Sequence, residues 1–106
     1  MYFHFTILKM NPEKLRPAIT AIFADENYLK LMHGTKGFRY QYALIAEDQP
    51  DEATSISIWD TREDAEALFA NPTYLGMLGS MRDQFTAPPQ RRSFELIAEL
   101  AGLGGK

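Results

Sequence analysis

The sequence predicts an α+β domain built in the order β-α-β-β-α-β. Three observations predict it. Four segments alternate side-chain character with a period of two. Two stretches instead space their apolar residues three and four apart, as a helix does. A short polar turn, "EDQPDE", joins the two middle alternating segments directly, as a hairpin loop would.

The first strand covers residues 2–10. Phe3, Phe5 and Ile7 point one way; Tyr2, His4, Thr6 and Leu8 point the other. Asn11-Pro12-Glu13 reads as a helix start, with Asn as N-cap, Pro at the first helical position and an acid in the first turn. Leu15, Ala18, Ile19, Ile22 and Phe23 make the apolar stripe of that helix, and Pro17 is expected to bend it. The helix, or a short second piece, runs to about Met32 and stops at Gly34 and Gly37. The second strand covers 38–46, with Phe38, Tyr40, Tyr42 and Leu44 on one face.

The third strand covers 53–59, with Ile56 and Ile58 opposite Ser55, Ser57 and Trp59. It ends where Thr61 offers its hydroxyl to the free amides of a new helix, with Asp64 three residues on. That helix carries Ala65, Leu68 and Phe69, breaks at Asn71-Pro72, and resumes through Tyr74, Leu78, Met81 and Phe85 until "TAPPQ". The last strand is placed at 92–100, with Phe94, Leu96, Ala98 and Leu100 on one face.

This order is the split βαβ, or ferredoxin-like, arrangement: a four-stranded antiparallel sheet with both helical segments on one face. Residues 1–100 read as one domain and 101–106 as a mobile tail. The helices are expected over the greasier face, carrying Phe3, Phe5, Ile7, Tyr40, Tyr42, Leu44, Ile56, Ile58, Phe94 and Leu96. The other face is mixed: Tyr2, His4, Thr6, Leu8, Arg39, Gln41, Ala43, Ile45, Ser57, Trp59, Glu95 and Ile97. It holds too much apolar area for water, so a second copy of the chain is expected to cover it as a two-fold dimer.

Composition narrows the function. The 106 residues include no cysteine, which removes disulfides and thiolate metal sites. A net charge of −3, with Arg91-Arg92 the main basic pair, argues against nucleic-acid binding. No window has the ~18–20 apolar residues of a membrane span, and "MYFHFTILKM" lacks the charged start of a signal peptide. A cytoplasmic protein is the expectation. His4 and His33 are far apart and make no metal site. "GLGGK" has no following helix and is not a phosphate loop.

The segment "GFRYQYALIAEDQPDEATSISIWDTREDAEALFANPTYLGML", with a Trp closing strand three and "NPTYLGML" following a capped helix, resembles the antibiotic-biosynthesis-monooxygenase-like family. The resemblance covers about residues 2–98. It implies a dimeric α/β barrel. The family includes cofactor-free oxygenases of quinols and polyketide-like phenols, haem-degrading enzymes, and members with no known activity. The haem-degrading branch uses an Asn on strand one, a Trp ending strand three and a His on the second helix. Trp59 matches the Trp. Strand one holds no Asn, and Leu78 stands where the His would be. No cofactor is therefore expected.

On this resemblance, His4, Tyr40, Tyr42 and Trp59 are the candidate catalytic residues, and Phe5, Phe69, Tyr74, Leu78 and Met81 the candidate substrate contacts. Each has a plainer structural reading. Trp59 can anchor the helix–sheet junction. His4 can hydrogen-bond at the dimer interface. Tyr40 and Tyr42 can be core residues with satisfied hydroxyls. The apolar run from Tyr74 to Phe85 can be core, or a pocket for a flat ligand. Two functions follow: a cofactor-independent monooxygenase of quinols or phenols, or a non-catalytic dimeric small-molecule-binding or accessory protein of the same fold.

Overall fold

A computed structural model describes residues 1–103. Its elements are β1 (Tyr2–Lys9), α1 (Pro12–Ala24), α2 (Glu26–His33), β2 (Phe38–Ile45), β3 (Glu52–Trp59), α3 (Arg62–Phe69), α4 (Pro72–Gly79) and β4 (Gln90–Glu95). The strands form one antiparallel sheet in the order β2-β3-β1-β4. This is the ferredoxin-like α+β fold. Of the expected tail, residues 104–106 lie outside the described residues.

The caps act where the sequence places them. The Asn11 side chain accepts from the Glu13 amide at 2.9 Å and starts α1, which runs through Pro17 without a break. Asp25 ends α1 and starts α2: its amide donates to the Ile22 carbonyl, and its carboxylate accepts from the Tyr28 amide at 2.9 Å. Thr61 Oγ1 accepts from the Asp64 amide at 3.2 Å, and Asn71 caps α4. The last helix is shorter than its spacing suggests. It stops at Gly79, a single 3-10 turn follows at Arg82–Gln84, and Phe85 bridges to Met10. The final strand is also displaced: it spans Gln90–Glu95, and Ile97 and Leu100 stand exposed beyond it.

The sheet presents its faces the other way round from the expectation. The helices cover the mixed face, where Trp59, His4 and Ser57 are buried. The greasier face, with Phe5, Tyr40, Tyr42, Leu44 and Phe94, is open; Tyr40 is 57% and Leu44 52% exposed. The physical reason is chain chirality. β1 and β2 are parallel, as are β3 and β4, and each parallel pair is joined by a helical crossover. Such crossovers turn right-handed, so handedness selects the covered face whatever its hydropathy. A bulge adds to the effect. Phe38 pairs with Trp59 but Tyr40 pairs with Ile58, leaving Arg39 as the extra residue. Phe38 therefore turns to the helix side, away from Tyr40, Tyr42 and Leu44, and its ring meets Trp59 edge-on at 5.4 Å. Arg39 pairs with Asp60.

Read across the strands, the covered face falls into rows. At one end stand Glu95, Tyr2, Trp59 and Phe38; next come Ser93, His4, Ser57 and Gln41; then Arg91, Thr6, Ser55 and Ala43; finally Leu8, Ala53 and Ile45. Large side chains occupy the ends. Around Trp59, α2 and α3 add Tyr28, Met32, Ala65 and Leu68. At the far end Met10, Leu15 and Ala53 form a second buried cluster with Ile19, Met81 and Phe85. The middle rows hold small or polar side chains, so the two clusters prop the helices above a hollow.

Gly37 stands at φ +80°, and a side chain there would run into the Asp64 carboxylate. Gly37→Ala is expected to lower unfolding free energy by about 1–3 kcal/mol in urea denaturation, from left-handed strain plus displacement of Asp64.

Candidate functional site

The hollow is a cavity of about 780 Å3 between α1, α2, α4 and the middle of the sheet. Its walls are apolar: Leu8, Ile19 and Ile22 on one side, Met77, Leu78 and Met81 on the other. Its sheet floor is polar. Tyr28 Oη donates to Gln41 Oε1 at 2.7 Å, and Gln41 Nε2 donates to Ser55 Oγ at 3.1 Å. The chain of bonds fixes the Gln41 amide and leaves the Ser55 hydroxyl hydrogen available. Asp25 contributes by capping α2, which sets Tyr28 into this position.

Tyr74 lines the cavity from α4. Burial raises its phenol pKa, and the Arg91 cation opposes that rise. Burial pushes the Tyr28 phenol up to about 12, against the hydrogen bond with Gln41. Both phenols stay protonated near neutral pH and serve as donors. Arg91 lies on the rim, on β4 opposite Thr6.

The candidate residues separate into three groups. Tyr74, Leu78 and Met81 line the cavity. Trp59, His4 and Phe69 form the wall packed at the Trp59 end. Trp59 is fully buried and its Nε1 donates to Ser57 Oγ at 3.0 Å. The Phe69 ring lies 6.3 Å from Trp59, 5.9 Å from Tyr74 and 4.3 Å from His4. His4 Nδ1 shares a hydrogen bond with Ser93 Oγ at 3.2 Å. Phe5, Tyr40 and Tyr42 lie on the opposite, open face, where the Tyr40 and Tyr42 rings stack at 6.1 Å and Phe5 meets Phe94 edge-on. The sheet separates them from the cavity, because alternation sends them the other way. The sequence reading passed over Tyr28, Ser55 and Arg91. The signal for Ser55 was the run of small and polar residues in phase with Trp59; Arg91 fell just outside the strand expected at 92–100.

The geometry agrees with known structures. A candidate antibiotic biosynthesis monooxygenase from Deinococcus radiodurans superposes with a TM-score of 0.78 at 12% identity, covering 98% of this chain and 100% of that one. One from Nitrosomonas europaea gives 0.75 at 18% identity, covering 92% and 100%. The chain has the antibiotic biosynthesis monooxygenase-like fold. SnoaB, a cofactor-independent oxygenase from Streptomyces nogalater, shares this monooxygenase-like fold, with a TM-score of 0.71 at 15% identity over 95% of this chain and 96% of its own. No family model and no curated protein matches the sequence. Among the described residues no helix is long and apolar enough to cross a membrane, and no cluster of three or more metal-ligating side chains occurs.

The His4 pKa is lowered from 6.5, first by burial and then by the Arg91 cation. The unfolded chain therefore takes up this proton first as pH falls. Stability is full above about 6.5 and declines below it, toward the folded-state value. Thermal unfolding between about pH 7 and pH 5 should show a falling Tm that is flatter in His4→Gln. Equal slopes in the two proteins would remove His4 as the cause.

Proposed function

We propose that the protein is a cytoplasmic, cofactor-independent monooxygenase that oxidises a flat phenolic or quinol-type aromatic. The observation that carries this reading is the cavity. It has the size of a small-molecule site, apolar walls suited to a flat ring, and two hydroxyl donors, Ser55 on its floor and Tyr74 on α4. The fold it shares with SnoaB supports the reaction type.

In the proposed reaction the substrate supplies the electrons. Its hydroxyl gives its proton to water at the cavity mouth, and the electron-rich ring carbon bonds to O2. The O–O bond then breaks, releasing water and leaving the ring as a quinone. A phenol and O2 become a quinone and water, so no external reductant is needed. The protein excludes bulk water and aligns the ring. Tyr74 and Ser55 donate to substrate oxygens, and Tyr28 holds Gln41 in place beside Ser55. Leu78 and Met81 grip the ring. Trp59, Phe69 and His4 keep the wall rigid.

We also propose that the open face pairs with a second copy. Phe3, Phe5, Ile7, Ile56, Ile58, Tyr40, Tyr42, Leu44 and Phe94 form a continuous apolar surface there, larger than a monomer comfortably leaves in water. Light scattering is expected to give twice the 12.1 kDa chain mass, and the double variant Tyr42→Glu, Leu44→Glu is expected to halve it. A wild-type particle at the single-chain mass would end the dimer reading.

A second reading rests on a specific observation: the one carboxylate among the described lining residues, Asp25, is engaged as a helix cap, so the cavity holds no obvious base. A binding module needs none. Oxygen-electrode assays with quinols and naphthols separate the two. The monooxygenase reading expects turnover above buffer that falls at least about tenfold in Leu78→Trp, which fills the cavity. A ligand-induced rise in Tm with no oxygen uptake would favour the binding module.

A further inference from the structure

Arg91 has a role that phenol oxidation alone does not explain. Its row on the covered face is Arg91, Thr6, Ser55 and Ala43, none of them acidic. Ion pairs among the described residues join Lys9 to Glu52, Arg39 to Asp60 and Arg62 to Glu66; Arg91 takes part in none of them. Arg82 also lines the cavity and is likewise outside these pairs. Two guanidiniums thus face one carboxylate, that of Asp25, which is held by the Tyr28 amide. A chain of net charge −3 has concentrated positive charge around its apolar cavity.

The Arg91 cation is near enough to both Tyr74 and His4 to act on their ionisation. It lines the cavity while remaining exposed to solvent. Neighbouring Arg92 behaves differently: it lies on the open face, its guanidinium 5.0 Å from the Phe94 ring centre. Alternation along β4 has put one arginine on each face, and only Arg91 meets the cavity.

We infer that the cavity selects an aromatic acid, a flat ring system bearing a carboxylate, with Arg91 holding the carboxylate at the rim and the ring lying between Leu78, Met81 and the sheet. A guanidinium fork matches a carboxylate in two parallel hydrogen bonds, and partial shelter from water strengthens them. The ring supplies apolar burial, and Ser55 donates to a ring oxygen further in. The inference rests on the small-molecule reading of the cavity but not on oxygen chemistry.

The test compares hydroxynaphthoate with its methyl ester by titration calorimetry on the wild-type chain. The acid is expected to bind at least about tenfold more tightly than the ester, and added salt is expected to narrow the gap. Arg91→Gln should abolish that preference and leave ester binding within about threefold; Arg91→Lys should restore part of it. An unchanged melting temperature in either variant separates lost recognition from lost folding. Equal affinity for acid and ester, no binding of either, or a preference that survives Arg91→Gln would overturn the inference. Arg91-dependent acid binding without oxygen uptake would uphold it while ending the monooxygenase reading. Turnover of neutral phenols with no acid preference would do the reverse.

Discussion

Everything distinctive about this molecule depends on where the sheet's small side chains fall. Thr6, Ser55 and Ala43 stand side by side across the three inner and edge strands, flanked by bulk at both ends. Trp59 and its aromatic neighbours hold the helices up at one end; Met10, Leu15 and Phe85 hold them at the other. A protein interior ordinarily closes such a gap, because empty space forfeits dispersion contacts. Here closing it would require displacing one of two buried clusters. The cavity is a consequence of side-chain volume distributed along strands, before any question of ligand arises.

The polar groups in the hollow follow from the same pattern. Small residues that point under the helices in a sheet are often hydroxylic, and a buried hydroxyl must find a partner. Ser55 finds Gln41, Gln41 finds Tyr28, and Ser57 finds the Trp59 indole. No buried side-chain nitrogen or oxygen among the described residues is left without a partner. The floor is therefore preorganised: its donors already have directions, so a ligand need not reorient them. Two helix caps take part at a distance. Asp25 fixes the start of α2 and with it Tyr28; Asn71 fixes α4 and with it Tyr74.

Trp59 bears on this more as a support than as a contact. It ends β3, two residues before the Thr61 cap, where the strand must hand over to a helix lying across its own face. A large flat side chain at that corner fills the wedge between strand and helix. Phe69 then bridges the wedge to His4 and Tyr74, joining the support to the cavity wall. Substitutions at Trp59 would therefore move several cavity residues at once, and loss of function there would say little about contact with a ligand.

The elements and their order were legible in the sequence, because each rests on local chemistry. Asn11, Thr61 and Asn71 announce helix starts through a side-chain oxygen and its nearby amides, and alternation marks strands through the pleat. The sequence also determined that the sheet has two apolar-containing faces. It did not determine which one the helices cover. Hydropathy pointed to the Phe3 face, and the tertiary structure chose the Trp59 face, because crossover handedness is a property of the twisted chain and not of any residue's greasiness. That choice moved Phe5, Tyr40 and Tyr42 outside and brought Gln41, Ser55 and Arg91 in. Helical spacing put Tyr74, Leu78 and Met81 on one stripe, open to reading as core or pocket, and in the fold they line the cavity. Their partners across the hollow, more than ten residues away in the chain, came together only through strand register and the single-residue bulge at Arg39.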